Sequence, residues 1–332
     1  LTIDQVSRGL TALTEAYLCG IAAGVRALSA ERFDGFRIGT AIDFGIVAMG
    51  RFGGGELGFG SDADVMCVYQ ALPDVPAEVA QKAAEAMVHT VRDLAKDQVL
   101  EFELDLDLRP EGKQGVVVRT LDSYRAYYQR WSSDWESQAL LRARMISGSQ
   151  QLRDAFGEII DEHRYPKVFD PKVLVEIRRI KARVENERLP QGADPKRHLK
   201  LGRGSLSDVE WLVQLLQLQH GNEHQQIRTP QTLPALHACV EAGLIAEHDA
   251  NVLEAAWILA SRVRSATVLW SNKRTDVLPV DRRQLEGAAR ILEYPAFSAS
   301  TLEQDYLSAT RRARLVFERL FFGWQPAGSQ ED

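Results

Sequence analysis

Cysteine is scarce in this chain. Cys19, Cys67 and Cys239 are the three among 332 residues, far apart and without metal-ligand spacing. That excludes a disulfide framework and fits a reducing, cytoplasmic setting. No apolar run approaches the roughly 20 residues that cross a bilayer, and no secretory signal opens the sequence, so neither a membrane anchor nor export is expected. Excess positive charge is missing too. The 46 Asp and Glu outnumber 40 Lys and Arg, and a net charge of −6 argues against nonspecific nucleic-acid binding as the main task. Internal repeats and low-complexity tracts are absent. What remains is the composition of an ordinary soluble globular protein, 45% hydrophobic and 26% charged, long enough for two domains with real cores. The first residue is Leu1 rather than Met, as expected of a piece of a longer protein.

The most informative stretch runs from Gly50 to Val65, GRFGGGELGFGSDADV. It sets a glycine-rich loop and a Ser61-Asp62-Ala63-Asp64 cluster between two apolar runs, Ile46–Met49 and Val65–Tyr69. Both runs read as short buried strands. Carboxylates spaced i, i+2 at a strand start point to the same side of that strand. Two like charges held that close repel, so a bound cation is their natural partner. Mg²⁺ prefers carboxylate oxygens and usually arrives with substrate phosphates. Glycines let backbone N–H groups approach a phosphate closely. Together these features point to metal-assisted chemistry on a nucleoside triphosphate. The plainer alternative is a glycine-rich surface hairpin with solvated aspartates.

The remaining pattern implies a small mixed α/β domain followed by a helical one. Leu10, Leu13, Ala16, Tyr17, Ile21 and Val25 stand at helix spacing within residues 1–33. Phe44–Met49 and Val65–Tyr69 are the expected strands, and 75–97 reads as one alanine-rich helix with proline near its start. LEFELDLDLRP, 100–110, alternates strictly. Leu100, Phe102, Leu104, Leu106 and Leu108 share one face; Glu101, Glu103, Asp105, Asp107 and Arg109 share the other. That predicts a half-buried strand with an acidic outer face. Pro110, Gly112 and Gly115 mark a turn, and Val116–Val118 a short returning strand. The expected divisions are an N-terminal helical segment over 1–35, a catalytic domain over 36–160, a helical domain over 165–325 and a disordered tail over 326–332.

Metal ions bridging a triphosphate usually need a third acidic ligand. Glu103, Asp105 and Asp107 are the candidates on one strand face, which Arg109 only partly neutralises. The competing explanation is a charged, solvated strand edge.

Four ordered motifs, GRFGGGELGFGSDADV, LDLDLRPEGKQG, YYQRWSSDWESQALLRAR and KLGRGSLSDVEWLVQLLQLQHG, carry a resemblance that spans residues 40–323. The chain resembles the bifunctional glutamine synthetase adenylyltransferase/adenylyl-removing enzyme family. Members have two homologous halves, each a DNA-polymerase-β-like nucleotidyltransferase domain followed by a helical domain. The chain looks like one half, most similar to the C-terminal, adenylylating half of actinobacterial members, through the glycine-loop wording and EIRRIKARVENERLPQGADP. The resemblance implies an α+β catalytic domain with a small mixed sheet and helices, then an all-α domain. It implies that Asp62 and Asp64 are the metal-binding pair and, counting back from Leu108-Arg109-Pro110, that Asp105 rather than Asp107 is the third carboxylate. Many relatives carry a basic or amide residue at Asp107. Gly50, Arg51, Gly53 and Gly54 match the nucleotide-contacting loop, and Ser61 begins the metal motif. Ser205 and Cys67 depart from the usual glycine and aromatic. The implied reaction is transfer of AMP from ATP to a tyrosine hydroxyl of glutamine synthetase, releasing pyrophosphate, with Mg²⁺ or Mn²⁺ as cofactor and the PII protein and glutamine as effectors. Both halves share the aspartates, so phosphorolytic removal of AMP, giving ADP, stays open. So does a catalytically silent module that binds PII or glutamine.

Other residues have two readings each. Arg142 and Arg144 either contact phosphate or a partner, or form a solvated helix face. Lys200–Gly204 is a basic glycine loop ahead of a helix starting near Ser207, and Lys200 is a candidate nucleotide contact. Ser207-Asp208-Val209-Glu210 also reads as a capping box. Arg178, Arg179, Lys181 and Arg183 are expected to form a solvated face. His198, His220 and His224 lack ligand geometry. A monomer is expected.

Overall fold

The computed structural model describes residues 2–96 and 103–324. The chain divides into two compact units. One takes Asp4–Leu57 and Ser61–Pro166, and the other is built mainly from Lys167 onward.

The first unit opens with α1 (Ile3–Leu28), which buries Leu18, Ala22 and Val25, one stripe at helical spacing. The hairpin β1 (Arg32–Phe33) and β2 (Phe36–Arg37) and one turn, α2 (Ile38–Ala41), lead to the central strands. These are β3 (Ile42–Ala48) and β4 (Ala63–Ala71), with a single helical turn, α3 (Gly50–Gly53), between them. Next comes α4 (Ala77–Ala95), which starts after Pro76 and turns Ala80, Ala83, Ala84, Met87, Val88 and Val91 inward. The unit is completed by β5 (Leu104–Asp105), β6 (Arg119–Thr120), α5 (Leu121–Arg130), α6 (Asp134–Leu140), β7 (Arg144–Met145) and α7 (Gln150–Arg164).

The sheet order is β5-β4-β3-β7, and β6 also pairs with β4. β3 and β4 are antiparallel, from Ile42 opposite Ala71 to Ala48 opposite Val65. β5 and β6 both run parallel to β4, one near its start and the other beside Val68 and Tyr69. Phe44, Ile46, Val65 and Cys67 join the core beneath α1 and α4. Val47, Met66 and Val68 join Tyr124, Tyr128, Leu152 and Phe156 on the opposite face. Both faces are covered, which is why these strands read as unbroken apolar runs. Each fully buried side chain of this kind contributes about 1.5–3 kcal/mol.

The acidic strand is shorter than its alternation suggests. Leu100, Glu101 and Phe102 lie outside the described residues, and beyond them only Leu104–Asp105 is strand. The Asp107 N–H donates to Asp105 Oδ1 at 2.7 Å and bends the chain into a turn. Arg109, expected on the outer face, is buried. Its guanidinium donates to the carbonyls of Leu106, Lys113 and Gly115, holding that turn closed. Val116–Val118 is not strand; Arg119–Thr120 is, and it pairs with β4 instead of returning along β5.

The second unit is helical among the described residues. It contains α8 (Pro171–Glu187), α9 (Leu206–His220), α10 (Thr232–Glu241), α11 (Glu247–Ser271), α12 (Arg282–Ile291) and α13 (Ala299–Phe317). Asp170 caps α8 by accepting the Lys172 N–H, with Pro171 at the first position. Lys181 does not lie on a solvated face. It is fully buried, with Nζ 2.7 Å from Asp208 and 3.3 Å from Glu185, over the Trp211 ring. Nor is Ser207 a cap: α9 begins at Leu206 behind Ser205, and Asp208 instead accepts the Gly204 N–H at 2.6 Å. The tail expected to be disordered lies outside the described residues. No helix among the described residues is long and apolar enough to cross a membrane.

Candidate active site

The loop between β3 and β4 brings the glycines beside the aspartates. Antiparallel pairing continues one step past Ala48, because the Met49 N–H donates to the Asp64 carbonyl at 2.8 Å. Gly50 therefore stands next to Asp64. Its φ of +51° suits glycine, and a Cβ built there would lie 2.4 Å from Asp64 Oδ2. Its positive φ favours glycine at position 50, and a side chain there would displace the Asp64 carboxylate.

On the other side of β4, Asp64 pairs in register with Asp105 of β5, and Ala63 with Leu104. Parallel neighbours in register share a sheet face at a strand spacing of about 4.8 Å. Asp62 precedes Asp64 by two residues at the exposed mouth of the strand, and Ser61 is half-buried beside it. Asp107 stands past the strand end, within 3.2 Å of Lys113 and 3.8 Å of Arg109. Asp105 and Asp107 are therefore distinguished by where the strand stops and by which of them has cationic neighbours.

Hydrogen bonds close the first part of the loop, residues 49–56. Gly53 and Gly54 N–H groups donate to the Met49 and Gly50 carbonyls, closing the turn. Arg51 Nε donates to the Glu56 carbonyl at 3.0 Å. A Cβ at Gly53 would lie 1.9 Å from the Arg142 carbonyl, so the segment before β7 presses directly on the loop. Arg142 pairs with Glu56 at 3.1 Å, both buried. Arg144 donates to the Gly53 carbonyl at 3.2 Å and is also paired with Glu15. These four charged residues position the loop; Arg142 and Arg144 do so as neither a solvated face nor a recognisable local motif. Lys200 sits apart in sequence, exposed in the loop before α9 of the second unit.

Three carboxylates supply the hard oxygen donors that Mg²⁺ takes, and two of them are in register on neighbouring strands. The donor set therefore fits a divalent cation. Among the described residues no three acidic, His or Cys side chains already converge on a point, and Asp105 is engaged with the Asp107 N–H.

Comparison with known proteins adds what the chain is similar to. Residues 1–159 match the family model described as glutamate-ammonia ligase adenylyltransferase, and residues 177–321 match that of GlnD PII-uridylyltransferase. The chain is similar to the bifunctional glutamine synthetase adenylyltransferase/adenylyl-removing enzymes of Leifsonia xyli, Streptomyces avermitilis and Corynebacterium diphtheriae. It is 54%, 48% and 44% identical to them, in each case over 97% of its own length. It spans 31% or 32% of the length of these relatives. Residues 1–159, a mixed sheet with helices, are thus similar to the nucleotidyltransferase domain of glutamate-ammonia ligase adenylyltransferases, and a helical region follows.

Proposed function

We propose that this chain transfers AMP from ATP to a tyrosine hydroxyl of glutamine synthetase, releasing pyrophosphate, and that it corresponds to the adenylylating half of the longer enzymes. The observation that carries the reading is the register of Asp64 with Asp105 beside a glycine loop clamped from behind. The protein substrate follows from the relatives, which are glutamine synthetase adenylyltransferase/adenylyl-removing enzymes.

Asp62, Asp64 and Asp105 would hold Mg²⁺ or Mn²⁺. When bound, such an ion neutralises charge on the triphosphate and the leaving pyrophosphate and favours the phenolate. A tyrosine hydroxyl, with a pKa near ~10, is a weak nucleophile at neutral pH. Asp105 accepts its proton as the phenolic oxygen bonds to the α-phosphorus and the bond to the β-phosphate oxygen breaks. Arg51, tethered through the Glu56 carbonyl, and the Gly50–Gly54 backbone orient the triphosphate. Rate then comes mainly from positioning and charge stabilisation.

The decisive test compares two neighbours. Asp105→Asn should lower AMP transfer from α-labelled ATP by roughly 10²–10⁴-fold, the range for loss of a proton acceptor. Asp107→Asn should leave most of it. Equal losses would remove the assigned role of Asp105. Phosphorolytic removal of AMP is the second reading, because the relatives' names carry both activities.

A further inference from the structure

The helical unit contains a cavity of about 350 Å³ between the 196–203 segment and the C-terminal half of α13. Lys196, Arg203, Arg311 and Arg314 line it, with Leu307 and Leu315 as apolar wall and no acidic residue among the lining side chains. Arg314 is already neutralised. It pairs with Glu185 and Asp208 at 2.9 Å and with Glu318 at 2.7 Å. Lys196, Arg203 and Arg311 are exposed, and among the described residues their side chains form no ion pair. Three uncompensated cations thus face one apolar-walled cavity, in a chain whose net charge is −6.

The walls are fixed in advance. Gly204, at a φ of +73°, lies so close to α13 that a Cβ would meet the Thr310 carbonyl at 1.8 Å. Its N–H donates to Asp208 Oδ2, which also holds Arg314 from behind. The Gly204 backbone, next to Arg203, and α13 are therefore tied together by a buried network that includes fully buried Lys181. A preformed concavity of this size suits an organic molecule, about 300 Å³ being the lower end for such sites, and it exceeds the needs of a single inorganic ion. Two guanidinium forks and one ammonium match phosphate or carboxylate oxygens, and the leucines match a carbon skeleton.

We propose that this cavity binds a small organic anion bearing at least two phosphate or carboxylate groups, gripped by Lys196, Arg203 and Arg311. Occupation neutralises the three cations. The site is independent of the AMP-transfer reading and is tested without it.

The test is calorimetric titration of the 332-residue chain with citrate, fructose 1,6-bisphosphate and inorganic phosphate. One of the two organic anions should saturate a single site more tightly than inorganic phosphate, and which one does so separates carboxylate from phosphate recognition. The double variant Arg203→Ala/Arg311→Ala, which removes two exposed side chains without ion-pair partners, should keep the native Tm and weaken that binding by at least about tenfold. Asp64→Asn should bind as the native chain does. The proposal is overturned if neither organic anion saturates, if inorganic phosphate binds as tightly, if the double variant binds normally, or if Asp64→Asn abolishes binding.

Discussion

Gly50→Ala separates the catalytic demand on the glycine loop from its contribution to folding. The backbone at position 50 has a φ of +51°, where a Cβ costs about 1–2 kcal/mol. The added methyl would lie 2.4 Å from Asp64 Oδ2, whereas ordinary contact begins at 3.4 Å, so the carboxylate must retreat by the difference, 1.0 Å. That atom is the end of a flexible side chain, so it can move without disturbing β4. Stability bears at least the backbone term, a fall in Tm of about 2–4 °C per kcal/mol for a unit of this size. Catalysis bears the displacement, and a misplacement of about 1 Å costs roughly 10²-fold. Scanning calorimetry and AMP transfer from α-labelled ATP measure the two separately. Gly157→Ala is the control: it lies in α7 with nothing within 4 Å of the added carbon, and should gain about 0.5–1 kcal/mol with activity unchanged. Transfer by Gly50→Ala within twofold of the native rate, alongside the expected fall in Tm, would refute the link between this glycine and a catalytic Asp64.

Other perturbations test the charged supports. Arg142→Met removes the buried cation 3.1 Å from the Glu56 carboxylate and should lower stability by about 3–5 kcal/mol in urea titrations, with Glu56→Leu added to it recovering most of the loss. Lys181→Met leaves buried Asp208 and half-buried Glu185 with one cation fewer, and should destabilise the helical unit by a similar ~3–5 kcal/mol, seen as a lower calorimetric transition. His198 is buried, and burial pushes its pKa below the ordinary 6.5; its Nδ1 accepts the Lys200 and Leu201 N–H groups, which requires the neutral ring. Because the folded pKa is depressed, its contribution is complete above the unfolded value of about 6.5 and is lost as pH falls through the folded value. Urea midpoints should therefore drop from about pH 7.5 to about pH 5.5, and His198→Gln should reduce that slope. A midpoint that rises on acidification, or an unchanged slope in the variant, would contradict this role.

What was legible in the sequence was what local pattern controls. The apolar runs around Val47 and Met66 announced two central strands because both faces are covered, and the alanine stripe of α4 announced its buried face. Alternation over-extended the acidic strand, because one hydrogen bond from the Asp107 N–H to Asp105 ends it, and alternation does not encode that bond. Arg109 reads as surface charge until its three carbonyl acceptors are brought around it by the turn. Lys181 with Asp208, and Arg142 with Glu56, come from segments far apart in the chain, so neither pair leaves a local periodic signal. Within the candidate site, the i, i+2 spacing offers Asp62 and Asp64 as a pair. The register that sets Asp105 opposite Asp64 is a non-local pairing, visible only in the folded sheet.

The central claim is AMP addition, and its most direct test supplies both directions of chemistry in parallel. One reaction contains α-labelled ATP, Mg²⁺ and unmodified glutamine synthetase; the other contains adenylylated synthetase and phosphate. The account predicts label on a synthetase tyrosine with pyrophosphate released, and loss of that label in Asp64→Asn and Asp105→Asn. ADP released from the modified synthetase with no label gained by the unmodified form would contradict it and assign the chain to AMP removal.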